Sequence, residues 1–290
     1  GATDMTVYDA RLHAFRPDLA DVRLRGMVEA ERFVAGEAGR IGVPVADMLK
    51  AAGKDAGLNS QLLLGDDVLV FERSGGFAWV QSVRDGYVGY VDQSAIVGNG
   101  PRPTHVVKAT RTFLYSGPDL KLPKSEALSM GSKVSVSAEA ETRGMCYAVL
   151  ATGQSIVAAH LAPLGDVAPD YVTVAEKFLD TPYLWGGSSA FGIDCSGLVQ
   201  LAMAMAGRAV LRDSDMQAAS IGMVLDPGPE FSALERGDLV FWKGHVAVMT
   251  DPQTMIHANG HTMTVAREGL RDAIGRIGYL YGGPTGFRRP

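Results

Sequence analysis

The chain has 290 residues, 47% hydrophobic and 20% charged, with a net charge of −5 and a pI near 5.7. That balance excludes the basic footprint that nucleic acid or an anionic membrane surface selects for, and no apolar run approaches the roughly 18 residues needed to span a bilayer. Only two cysteines are present, Cys146 and Cys195, in settings too different for a structural staple, so free thiols are expected.

In chain order, residues 1–30, with DARLHAFRPDLADVRLRGMVEAE, read as an arm that packs across barrels rather than as a domain. The N-terminus lacks the charged-then-apolar plan of a secretory signal. From 31 to 165, short apolar runs alternate with Gly, Ser and Asp turns, the signature of small β-barrels. VPVADMLKAAGKDAG has helical spacing and predicts a helical excursion inside the first barrel. LGDDVLVFERSGGFAWVQSVRDGYVGYVDQSAIV alternates β-branched and aromatic residues and breaks at Gly75-Gly76 and Asp85-Gly86. A weaker echo comes next, with Gly65-x-x-Val68-x-Val70 matching Gly131-x-x-Val134-x-Val136 and Trp79 matching Tyr147. The spacing predicts a duplicated module of about 65 residues. GNGPRPTH, Gly98 to His105, supplies the linker, so the barrels are expected at 31–100 and 101–165.

Residues 166–290 change texture to α+β. PDYVTVAEKFLDTPY predicts a helix. Asp194 suits an N-cap and Gly207 a helix stop, and Leu198 to Ala206 are apolar on every side except Gln200, so this second helix should be buried. Strands are predicted at 238–242, 245–250, 254–258 and 262–266, the last pair joined by a tight Asn259-Gly260 turn. One buried helix against an antiparallel sheet is the α+β plan.

If Asp194 caps that helix, Cys195 is its first residue, where free amides and the helix dipole favour the thiolate and lower its pKa. Ser196 and Gly197 are small enough to admit a carbonyl, and nearby N–H groups would hold an oxyanion. The alternative is a small core residue; the polar cap and the WGGSS loop favour the nucleophile. A nucleophilic thiol needs a base and an orienting group. His245 and His257 fall on adjacent predicted strands with the same parity, so both can face one side and form a Cys–His–His relay. His13, His105 and His160 read as surface or packing residues, and His261 as a solvent-facing turn residue. The spacings match no zinc pattern, and no metal or organic cofactor is expected.

TPYLWGGSSAFGIDCSGLV, GDLVFW followed by GHVAVMT, and MIHANG together resemble the NlpC-type bacterial cell-wall cysteine peptidases over residues 166–290. The resemblance implies a papain-like domain with Cys195 as nucleophile, His245 as base, His257 as third polar residue and Tyr183 lining the oxyanion side. LLLGDDVLVFE, DGYVGYV and RTFLYSGPDLKLP are similar to the bacterial SH3-like barrels that precede this domain in the branch cleaving γ-D-glutamyl bonds to a diamino acid. That branch implies a freed murein stem peptide, L-Ala-γ-D-Glu-diaminopimelate, as substrate. Asp213 and Ser214 of RDSDMQ would meet its amino end, Asp194 and Ser196 beside the nucleophile would also bind substrate, and Tyr87 and Asp66 would add contacts from the first barrel. A required free amine implies fragment recycling in the cytoplasm, or the cell envelope if a leader was removed. The rival readings are a cell-wall amidase or acyltransferase with the same thiol and imidazoles, and a wall-binding protein without catalysis.

Overall fold

The computed structural model describes residues 7–98 and 100–290; residues 1–6 of the expected arm and Asn99 of the expected linker lie outside the described residues. The chain divides into two compact units, residues 1–101 and 102–290.

In the first unit, seven strands between Glu37 and Val97 form one sheet whose edges are Leu58–Leu63 and Ile96–Val97. No closed barrel is found among the described residues of either unit. Gly75 and Gly76, at φ +61° and +85°, make the turn that lets Asp67–Ser74 pair with Phe77–Ser82. VPVADMLK forms no helix. Val45–Leu49 is a strand paired with Leu58–Leu63, burying Ala46 and Met48 on alternate positions; the period of two decides, and the Lys- and Gly-rich stretch after it is loop. Ala14 and Leu19 pack with Phe71, Trp79 and Val88, so the N-terminal segment is part of this unit's core. Arg16 pins it, with its guanidinium 4.5 Å over the Trp79 ring and bonded to Glu72.

The second unit opens with a five-stranded sheet running from Lys124–Ser129 at one edge to Val136–Thr142 at the other, beside a three-stranded one centred on His105–Val107. The repeat seen in the sequence has structural counterparts. Gly65 and Gly131 share φ values of +86° and +93°, Trp79 and Tyr147 are both buried, and each module ends in a 3₁₀ turn followed by a short strand. This second module is continuous with the rest of its unit. Met130 belongs to one core with Tyr171, Phe178 and Leu198, the Ala190 amide donates to Ser129 Oγ at 2.9 Å, and Arg111 donates to the Ala190 carbonyl at 2.9 Å.

After it come α1 (Tyr171–Glu176), capped by Asp170, and α2 (Cys195–Met205). Next are the short α3 (Ser214–Ser220) and strands β1 (Met223–Val224), β2 (Leu239–Trp242), β3 (His245–Met249), β4 (Thr254–Asn259) and β5 (Thr264–Gly269). Helix α4 (Leu270–Tyr281) and β6 (Gly286–Arg289) close the chain. The sheet order is β1-β6-β2-β3-β4-β5, antiparallel throughout. Alternation splits its faces. Leu239, Phe241, Val246, Val248, Ile256 and Ala258 pack with α1 and α2. Val240, Trp242, Ala247, Met249 and Met255 pack with Leu270, Ala273 and Ile277 of α4. Helix α2 is buried from Cys195 to Met203, and its one central polar residue, Gln200, donates to the Val210 carbonyl at 3.1 Å.

The turn after β4 is longer than the two-residue hairpin expected. Asn259 is the last strand residue, paired with Thr264, and its Oδ1 accepts from the His261 and Thr262 amides. The asparagine makes the turn with its side chain, and Met263, at φ +56°, takes the left-handed position.

Candidate active site

Helix α2 begins where a cap makes it begin. Asp194 Oδ1 accepts from the Gly197 amide at 2.7 Å, and Oδ2 from the Gly186 amide at 3.0 Å, so one carboxylate ties the glycine-rich loop to the first helical turn. Gly187 and Gly197 are small by necessity: a Cβ on Gly197 would lie 2.5 Å from the Gly187 carbonyl oxygen. The helix therefore starts with Cys195 at its mouth.

Behind this loop sits a charge that sequence reasoning missed. Arg212 is fully buried, and its guanidinium donates to Asp194 Oδ1 (2.9 Å) and Oδ2 (3.0 Å), to Ser196 Oγ (2.8 Å) and to the Gly187 carbonyl (3.1 Å). Burial works against its charge, but Asp194 and Asp213 outweigh it and raise its pKa. An arginine beside Asp213 and Ser214 was the available signal; only the fold shows that it points inward.

Strand β3 starts after the Lys243-Gly244 turn, where Gly244 has φ +76°, and puts His245 opposite Trp242 with their rings 5.6 Å apart. Val248 pairs with Ile256. Extending that register sets Ala247 opposite His257, and His245 one step of two further on the same face. Their rings meet edge-on at 5.0 Å, with His245 Nε2 2.8 Å from His257 Nδ1. Beyond them His257 Nε2 lies 3.1 Å from Glu268 Oε2 on β5, and Arg276 of α4 clamps both oxygens of Glu268 at 2.9 and 2.6 Å. Glu268 and Arg276 were missed. The parity of VAREG against MIHAN would have placed Glu268 on the face of His257, had the strand been extended beyond residue 266.

The Cys195 sulfur reaches this strand at the backbone amide of Val246, the residue after His245, and that amide favours the thiolate. Tyr183 is half-buried beside Cys195 and Asp194: burial first, then the proximity of these two acidic groups, holds its phenol well above the usual range. The structure thus gathers Cys195, His245, His257, Tyr183, Asp194 and Ser196 at the junction of α2 and β3. Asp213 and Ser214 are half-buried at the start of α3 next to Arg212. The two remaining candidates belong to the first unit and are buried. Asp66 accepts from the Leu63 amide at 2.8 Å and from Arg84 at 3.1 Å, and Tyr87 is 3% exposed. Asp66 thus braces the turn after Leu63, and both side chains are withdrawn from solvent.

The expected low thiol pKa is not found. Burial pushes the Cys195 thiol up to about 12, aided by the Asp194 carboxylate, against the opposing pull of the Val246 amide, Arg212 and the Ser196 amide. Burial, then His257 and Arg276, lowers His245 to about 3. The helix mouth favours the thiolate as argued, but desolvation is the larger effect. The resting pair is a neutral thiol and a neutral imidazole, so the base is ready and ionisation waits for proton transfer. Among the described residues, no group of three or more His, Cys, Asp or Glu side chains is arranged to hold a metal ion.

Two family matches align with this architecture. The bacterial dipeptidyl-peptidase SH3 domain matches residues 48–96, and the NlpC/P60 family matches residues 180–273. The chain is 28% identical over 234 residues to a gamma-D-glutamyl-L-lysine dipeptidyl-peptidase of Bacillus cereus, covering 69% of this chain and 67% of that protein. It is 36% identical over 123 residues to dipeptidyl-peptidase 6 of Lysinibacillus sphaericus, spanning 43% of that protein and 38% of its own length. A solved NlpC/P60 family protein from Bacillus cereus superposes with a TM-score of 0.71 at 22% identity, over 87% of this chain and 99% of the other. The fold is thus that of NlpC/P60 proteins, and the chain is a cysteine peptidase whose catalytic half carries the NlpC/P60 domain behind an SH3 domain of the dipeptidyl-peptidase type.

Proposed function

We propose that this peptidase hydrolyses the γ-D-glutamyl bond to a diamino acid in short murein stem peptides bearing a free N-terminal L-Ala. His245 takes the Cys195 proton, the sulfur adds to the γ-carbonyl, and the backbone amides of the first turn of α2 steady the oxyanion. The amine of the diamino acid leaves with the proton that His245 returns. Water, deprotonated by His245, then opens the thioester and releases L-Ala-D-Glu. The carrying observation is the sulfur of Cys195 at the mouth of α2, against the strand that bears His245, with His257 2.8 Å behind that imidazole. The activity in the name of the Bacillus cereus relative, a gamma-D-glutamyl-L-lysine dipeptidyl-peptidase, supports the choice of bond. Asp213, half-buried one residue after Arg212, is the carboxylate that would meet the alkylammonium of L-Ala; an amide in place of that amine would bring no charge to it. The test is mass spectrometry of products from free and N-acetylated tripeptides. The free peptide should yield L-Ala-D-Glu, Cys195→Ala should abolish it, and acetylation should slow it by orders of magnitude. Equal rates on both peptides would overturn the amine pocket.

A further inference from the structure

Resting on that reading of Cys195 and His245, we propose that Glu268, held by Arg276, is the positioning residue that sets the tautomers of both histidines and so makes His245 a base toward the thiol. The hydrogen-bond chemistry forces the sequence of protons. A carboxylate can only accept, so the 3.1 Å contact between Glu268 and His257 Nε2 requires the proton on that nitrogen. With a single ring proton, held there, His257 carries its lone pair on Nδ1. The 2.8 Å contact from there to His245 Nε2 requires the second proton on His245 Nε2. What remains on His245 is the lone pair of Nδ1, the nitrogen that must take the thiol proton. Reversing the first link reverses all of them, and His245 would then present N–H instead of a lone pair.

The supports are in place for one direction only. Glu268 is faced by His257 from β4 and by Arg276 from α4, and those two partners hold its carboxylate down at about 2 despite partial burial. His257 is 1% exposed and is faced by His245 and Glu268, so water does not compete for its ring nitrogens. Arg276 adds two bonds to Glu268 and aims the carboxylate edge at the imidazole. Once His245 becomes imidazolium during turnover, the same carboxylate stabilises the added charge through His257 without taking a proton.

Glu268→Gln tests this, since an amide can donate as well as accept and no longer dictates the direction. The expected result is a fall in kcat of about 10²-fold or more with KM changed less than about threefold. Arg276→Gln should cost less at neutral pH but move the acid limb of kcat upward, as Glu268 loses a counter-charge and takes protons more readily. Imidazole ¹⁵N spectra of the Cys195→Ala protein should show both histidines protonated on Nε2; adding Glu268→Gln should lose that fixed pattern. A proton on His245 Nδ1 in the Cys195→Ala spectrum would overturn the proposal, as would wild-type kcat and unchanged tautomers in folded Glu268→Gln. The spectra need no turnover. Failure of the stem-peptide assay would count against the proposed substrate and leave the tautomer assignment standing, and if Glu268→Gln does not fold, the Cys195→Ala spectrum decides alone.

Discussion

Arg212→Met removes the charge behind the nucleophile while keeping much of the side-chain volume. The variant loses two bonds to Asp194, one to Ser196 Oγ and one to the Gly187 carbonyl, and leaves Asp194, 13% exposed, without its partner. Removing one member of a buried ion pair costs about 3–5 kcal/mol, because the remaining charge is uncompensated. A body the size of the second unit shifts by about 2–4 °C per kcal/mol, which gives an expected fall of about 6–20 °C in its transition. Differential scanning calorimetry on the whole chain reads it directly. Asp194→Asn with Arg212→Met should recover part of the loss, since the Asn side chain can still cap α2 and no lone charge stays buried. A single-variant loss below about 1 kcal/mol, or additive losses in the pair to within about 0.5 kcal/mol, would refute the buried ion pair as the support of this loop.

The neutral resting pair predicts that, in a Cys146→Ser background, alkylation of Cys195 speeds up about tenfold per pH unit from 6 to 9, following the thiolate fraction of a group whose pKa lies far above neutrality; a rate flat between pH 5 and 8 would show a preformed ion pair instead. In the unmodified chain the exposed Cys146 should react first, and Cys146→Ser should change stability by less than about 0.5 kcal/mol in calorimetry. Gly197→Ala should lower the melting transition and activity together, because its Cβ meets the Gly187 carbonyl at 2.5 Å and Asp194 Oδ1 at 2.9 Å. Gly275→Ala, in open space on α4, should instead raise stability by about 1 kcal/mol. Equal effects of the two would show that the helix mouth tolerates bulk.

What the sequence made legible was local. The Asp194 cap, the buried run of α2 and the shared parity of His245 and His257 each depend on residues a few positions apart, and periodicity reports such relations well. The remainder depends on contacts across the chain. Helix α4 went unread although Leu270, Ala273 and Ile277 carry a helical stripe, and without it neither Arg276 nor its grip on Glu268 was foreseeable. Arg212 has the composition of a surface residue, and its burial follows only from the Asp194 carboxylate 18 positions upstream. The thiol pKa went the wrong way for a related reason: cap and dipole are visible in sequence, whereas the desolvation that outweighs them depends on every element packed around the sulfur.

The shared core of Met130 and the Ser129–Ala190 bond bear on how this protein can be taken apart. A clone starting at residue 166 would keep every catalytic side chain and yet expose the underside of the loop that leads into Cys195. Residues 102–290 form a compact unit that keeps that surface covered, so domain shuffling or surface display should cut the gene at the 101/102 border.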